Sequence, residues 1–529
     1  MKSKIIVYIL LLGSLLSTSC DKFLTEEHPT GVSDELWWET EANARDALNS
    51  VYSGIPQGVS GRNAMLISSL SEESVARQDT RGAYEIYGKG LHNADWGVAL
   101  HIWRDNYLDI RRACRYLENV DRVYMDEALL KRYKAEARAL RAYYHMELLL
   151  FFGDIPIVTE SIEPDDNNKP RNTEEEVFDF IVSEFELAAP DLPPSYTNQE
   201  VKRISSGACY AFITRLALFY KKYELARDAA KKVIDLADLG YYSLYQSSDP
   251  TKSYAELFSY DGEINKERIM VNVDGNKDAW ISFAPYGVQG KTVMSPTAAV
   301  VDNFETKQGK TIWELGADSV AIYQQSPNYH NNRDPRLAAS IILPGETFAG
   351  SVIDPFGAQS PDRVGVQNST ATGYWVKKYL DAKDRNGSRN LDYMYIRYAE
   401  VLLSYAEALI ELNDIENPNL VSAINQVRNR AGMPNVNVAV YNNQEKLRQL
   451  IRRERQAELA FEGQRFFDIR RWGTFGELMN GPVYGAVNPS TGKRINVETR
   501  SVDPERDFWY PIPRNEVLTN INMVQNPGY

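Results

Sequence analysis

The sequence predicts a mostly α protein. Its scaffold is a tetratricopeptide-like array of helical hairpins, with a loop-rich, mixed α/irregular insertion and C-terminal part. Three observations predict this. Long stretches of the 529-residue chain place apolar residues on one face of a helix. The stretch "SGACYAFITRLALFYKKYELARDAAKKVIDLADLGYYSL" reads as a helix, a tight turn and a second helix. So does "YIRYAEVLLSYAEALIELND" followed by "NLVSAINQVRNRAGMP". Between about 241 and 391 this periodicity gives way to Gly, Pro, Asn and Asp.

In chain order, Lys2 and Lys4 precede an apolar run from Ile5 to Leu16, too short to span a bilayer as a mature helix. Residues 1–19 are therefore expected to be a signal peptide. Cys20 follows Ser17, Thr18 and Ser19, as the acylated cysteine of a bacterial lipobox does, although Ser17 stands where a lipobox usually has Leu. Ordinary signal cleavage near Ser19 is the alternative. Residues 20–35 read as a lipidated cysteine and its tether, 36–240 as an N-terminal helical region, and 241–529 as a C-terminal region carrying the insertion.

Helices are expected from Glu41 to Tyr52, Ala99 to Val120 and Glu127 to Phe152. In the third, Ala135, Ala139 and Ala142 would let another helix approach; Gly153 and Pro156 end it. Thr173 and Glu176 have the spacing of a capping box for a helix running to about Ala189. No clean repeat of roughly 34 residues is present, so the array is degenerate. Within the insertion, "RIMVNV" and "AASIIL" read as short strands, and its aromatic residues argue for order.

Apolar residues make up 43% of the chain and charged residues 25%, the balance of a folded globular protein. The net charge of −13 excludes nucleic acid as an expected partner and disfavours a broad basic surface on anionic lipid. Three cysteines give no disulfide framework, and Cys114 and Cys209 are expected as buried small hydrophobes. Five scattered histidines lack metal-ligand spacing, so no metal or cofactor is expected. No nucleophile elbow, P-loop or dinucleotide fingerprint occurs.

Glu454, Glu458 and Glu462 share one helix face. A glycosidase needs two carboxylates roughly 5–9.5 Å apart on opposite sides of a sugar, which adjacent turns of one helix cannot provide. With Arg455 and Arg465 nearby, these acids are expected to form structural ion pairs. The candidate ligand-binding residues are instead aromatic and polar: Arg81, Tyr84, Tyr87, Asn93, Asp95 and Trp96, and further on Trp280 and Tyr286. A sugar ring has an apolar C–H face and a polar rim, matched by a flat aromatic with Asn, Asp or Arg beside it. Local packing is the alternative for each aromatic, as it is for Trp103, Trp313 and Trp375.

"SCDKFL", "KAEARALRAYYHMELLLFFGDIPIV", "YIRYAEVLLSYAEALIELN" with "AINQVRNRAGMP", "IRRERQAELAFEGQRFFDIRRW" and "FWYPIPRNEVLTNINMVQNPGY" together resemble the SusD/RagB family of Bacteroidetes. The resemblance covers nearly the whole chain. It implies a lipoprotein on the outer surface of the outer membrane, anchored through Cys20, with no catalytic residues. It implies glycan binding and delivery to a TonB-dependent, SusC-like barrel transporter over which the protein sits as a lid. A peptide-binding protein of the same architecture is the alternative, and a glycoside hydrolase using the three glutamates a weaker one. The resemblance fixes no ligand-contact position.

Overall fold

The computed structural model of the chain describes residues 37–56, 64–77, 83–161, 168–196, 200–325, 328–387 and 390–529. The signal and tether, Cys20 and Arg81 lie outside the described residues.

Six helices form the first part of the array: α1 (Glu41–Tyr52), α2 (Gly97–Asn119), α3 (Glu127–Phe152), α4 (Glu174–Ala188), α5 (Ser206–Phe219) and α6 (Tyr223–Asp238). Their starts follow local chemistry. The side chains of Thr40, Asp126 and Ser205 each accept a backbone N–H of the first turn. Thr173 and Glu176 close the capping box that their spacing predicts. Consecutive helices pack against each other, and Ala135, Ala139 and Ala142 of α3 are buried as expected.

α6 then packs against α7 (Tyr398–Glu411), which is far along the chain. α7 packs in turn on α8 (Pro418–Arg430) and α9 (Gln444–Leu459). The insertion at 239–397 thus leaves the array and returns to its next position. One hydrophobic core runs from Trp38 to Met523 through both parts. The insertion is made of short helices and paired strands. Arg268–Asn272 runs antiparallel to Tyr393–Arg397, and Ile341–Ile342 to Trp375–Val376. Of the two predicted strands, "RIMVN" forms one, but "AASIIL" begins in the helix Pro335–Ser340 and only its isoleucines pair.

The C-terminal segment closes the end of α3. Tyr510 N–H donates to the Phe151 carbonyl at 2.8 Å, and the Asn526 amide donates to those of Phe152 and Tyr510 at 2.9 and 2.7 Å. Gly153, which ends α3 at φ 72°, lies against the Trp509 indole; a Cβ there would meet it at 3.0 Å. Cys114 and Cys209 are buried free thiols.

Glu454, Glu458 and Glu462 form the expected ion pairs, but not with the expected partners. Arg455 pairs with Asp468 and Arg465 with Glu72. The three glutamates are paired instead with Arg336, Arg397, Arg428, Arg430 and Lys378 from other elements. Burial raises their carboxyl pKa values, and the guanidinium groups more than reverse this, holding all three below the usual range. A general acid needs the opposite shift, so the arrangement suits a structural core and not proton donation.

Candidate functional site

The three aromatic residues of the first predicted group, Tyr84, Tyr87 and Trp96, are not at the surface. Trp96 is 2% exposed; its indole N–H donates to the Ala83 carbonyl at 3.0 Å, and its ring stacks on Tyr87 with centroids 5.4 Å apart. Tyr510 meets Trp96 edge-on at 4.9 Å. Tyr87 is fully buried and donates its hydroxyl to the Asp507 carbonyl at 2.7 Å, and Tyr84 is buried beside it. These rings offer no face to a ligand, because residues 507–529 return across them. Asn93 and Asp95 are exposed, but they serve local structure. The Asn93 side chain accepts the Asp95 N–H at 2.9 Å, and Asp95 forms a forked pair with Arg514 at 2.8 to 3.0 Å.

Trp280 is buried as well. It belongs to a second, small hydrophobic cluster with Val288, Ile342, Phe348 and Trp375. Its indole N–H donates to the Val288 carbonyl at 2.9 Å, and its ring stacks on Phe348 at 5.5 Å. That bond fixes the turn Tyr286–Val288, whose first residue is 45% exposed. Of the five candidate aromatics, Tyr286 is thus the exposed one, and Trp280 acts on it through the turn that its N–H bond to Val288 holds. Trp103 and Trp375 are packed inside; Trp313 is exposed.

Two further segments brace this turn. Asp362, itself buried, accepts the Gly287 N–H at 2.9 Å. A Cβ on Gly287 would stand 2.6 Å from Asp362 Oδ2, so a side chain there would push the carboxylate off the turn. Burial raises the Asp362 carboxyl pKa, and the backbone N–H groups of Gly287 and Tyr286 counter the rise. The Asp362 carbonyl accepts the Ser369 hydroxyl at 2.6 Å, and the neighbouring Asn368 side chain accepts Arg77 Nη1 at 2.8 Å. Arg77 also donates to the Lys291 carbonyl, and its N–H to that of Val293 at 2.9 Å.

A half-exposed tyrosine thus stands on a turn braced by the Trp280 cluster, with the half-buried guanidinium of Arg77 and amide of Asn368 in the loops bonded nearby, while the Asp362 carboxylate is buried and committed to the turn's own N–H groups. Chemically, this is a flat stacking surface with adjacent donors and acceptors, open and not enclosed. Arg77, Asp362 and Asn368 carry no local pattern that would single them out. They meet through contacts between residues more than 70 positions apart.

The model of the SusD family matches residues 246–529. The chain belongs to the SusD family. A second family model, described as "Starch-binding associating with outer membrane", matches residues 22–218. The SusD-like protein P2 of Formosa agariphila is 26% identical over the full length of both chains. A SusD-like protein of Bacteroides fragilis has a TM-score of 0.82 at 26% identity, covering 94% of this chain and 99% of its own. A SusD-like carbohydrate binding protein from the same species has a TM-score of 0.81 at 26% identity, covering 92% and 99%. In this SusD-family protein the block "IRRERQAELAFEGQRFFDIRRW" lies on α9 and the short helix Arg465–Arg471, where its charges form the ionic core.

Proposed function

We infer that this SusD-family protein is a cell-surface lipoprotein that binds oligo- or polysaccharide and delivers it to a TonB-dependent, SusC-like barrel in the outer membrane. The observation that carries the binding reading is the half-exposed Tyr286 on the turn that the Trp280 indole and the buried Asp362 hold, with Arg77 and Asn368 in the neighbouring loops. A sugar's C–H face stacks on such a ring, while its hydroxyls bond to the rim. The family match and a carbohydrate-binding relative of the same fold support it. The protein performs no chemistry on the glycan in this reading; it raises the local concentration of ligand at the transporter's mouth.

Affinity electrophoresis against a panel of neutral polysaccharides tests the binding reading. At least one glycan is expected to retard the protein, and Tyr286→Ala to relieve the retardation. Saturable binding of peptides, with no glycan response, would replace it with the peptide-binding alternative. Cys20 is the proposed lipid anchor, checked by mass spectrometry of the mature N-terminus and by membrane release in Cys20→Ala. Co-purification of a large barrel protein from detergent-solubilised membranes checks the partner.

A further inference from the structure

The insertion holds a cleft of about 490 Å³ between the segments 251–259, 330–339 and 377–380. Its charged lining is one-sided. Lys252, Lys307, Arg333, Lys377 and Lys378 line it, beside the imidazole of His330, which burial keeps neutral, against the single acid Asp334. The Asp334 carboxylate is buried and accepts from the Arg336 side chain at 2.7 to 3.2 Å, so its charge is already matched. Lys377 and His330 share Glu346, Lys252 has Asp249 at 3.6 Å, and Lys378 is paired with Glu462.

Two cations remain. Lys307 is exposed and its ammonium has no acceptor among the described residues. Arg333 is almost fully buried and makes no ion pair among them. One of its nitrogens donates to the carbonyls of Val301 and Phe304 at 2.7 and 2.9 Å, whereas Nε and Nη1 have no acceptor among the described residues. A buried guanidinium that lacks a carboxylate is costly to hold. An anion in the adjacent cleft would offset that cost, and in a protein of net charge −13 the cleft is a local exception.

We propose that this cleft is an anion site that takes the sulfate ester or carboxylate of an acidic saccharide, with Lys307, unpaired among the described residues, and Lys252, whose pair with Asp249 is long and exposed, at its mouth and Arg333 behind it. The saccharide identity of the ligand rests on the glycan-binding reading above; the anion site does not. Both groups are planar-faced or tetrahedral oxyanions that accept several N–H bonds at once. The acids beside the lining, Asp249, Glu346 and Glu462, are each paired with a lining residue, so an arriving anion meets no unpaired carboxylate among them.

Native affinity gels containing dextran sulfate, polygalacturonate or uncharged dextran test this, with the full chain and the double variant Lys252→Glu/Lys307→Glu. Retardation is expected in dextran sulfate, in polygalacturonate or in both, falling as salt is raised, and lost in the double variant. Which of the two polyanions retards it distinguishes a sulfate from a carboxylate ligand. Uncharged dextran is expected to give the same mobility for both proteins. Tyr286→Ala is expected to keep the polyanion response, which separates this site from the neutral-glycan surface. Competition by inorganic sulfate is expected to restore the wild-type mobility. The proposal is overturned if neither polyanion retards the wild type, or if both proteins are retarded equally while circular dichroism shows the variant folded.

Discussion

Arg397 donates from Nε and Nη2 to the two oxygens of the Glu462 carboxylate, each at 2.8 Å. Its remaining nitrogen, Nη1, reaches Glu267 at 2.8 Å and Glu458 at 2.6 Å. Arg397 is the last residue of the insertion before α7, and Glu462 follows α9. This fork therefore fastens the returning end of the insertion to the helical array. A guanidinium can do so because it is planar and always charged; an ammonium cannot make the paired bonds. Arg397→Met would leave Glu267, Glu458 and Glu462 short of a cation in a buried site. We expect a loss of about 3–5 kcal/mol, the usual cost of removing one partner of a buried pair. Arg397→Lys should recover only part of it. Urea unfolding measures both, and an Arg397→Met protein as stable as wild type would contradict the role given to this residue.

The same cluster sets an acid limit. Glu454, Glu458 and Glu462 have folded pKa values below the unfolded value of about 4.3. A depressed carboxyl stabilises the fold fully above the unfolded value and loses that contribution as pH falls through the folded one. Stability should therefore fall steeply below about pH 4. Glu73 acts in the opposite sense. Burial, and next to it Glu72, push its carboxyl up to about 8. It keeps its proton in the folded state, so stability declines as pH rises from about 4.3 to about 8. Melting temperatures at pH 5, 7 and 9 should show this decline in the wild type and a shallower one in Glu73→Gln. Parallel curves for the two proteins would refute it.

What was legible in the sequence was local. The capping box at Thr173 and Glu176, the alanines of α3 and the helical pairs all depend on residues within a few turns of each other. The ionic character of Glu454, Glu458 and Glu462 was legible too, since acids and arginines alternate there. Their partners were not, because Arg336, Arg397 and Arg430 arrive from other elements. Trp96 failed as a surface residue for the same reason. Its stretch is rich in Gly, Asn and Asp and looks exposed, yet Tyr510 and the strap behind it come from the far end of the chain. Loop composition reports backbone preference, and it says nothing about what later covers the loop.

The satellite cluster around Trp280 makes a separate prediction. Trp280→Phe keeps the apolar contact with Phe348 but removes the N–H bond to Val288, leaving that carbonyl short of a donor. About 1 kcal/mol of stability should be lost. Trp280→Ala opens a cavity in that cluster and should cost about 3–5 kcal/mol. Thermal unfolding separates the two. If they behave alike, the hydrogen bond and not the packing holds the turn.

Binding at the Tyr286 surface should depend on the ring and on its position. Tyr286→Phe preserves the flat face, so glycan retardation should persist. Tyr286→Ala removes it, and a stacking contribution of about 1 kcal/mol corresponds to roughly fivefold weaker binding. Gly287→Ala leaves Tyr286 in place but puts a methyl group 2.6 Å from Asp362 Oδ2. The Asp362 carboxylate must then turn aside, loosening its bond to the Gly287 N–H and with it the brace on the turn. Because this turn is at the surface, the unfolding midpoint should shift little while glycan affinity drops. A Gly287→Ala protein that binds as wild type does would show that this brace contributes nothing, and would leave the ring alone to hold the sugar.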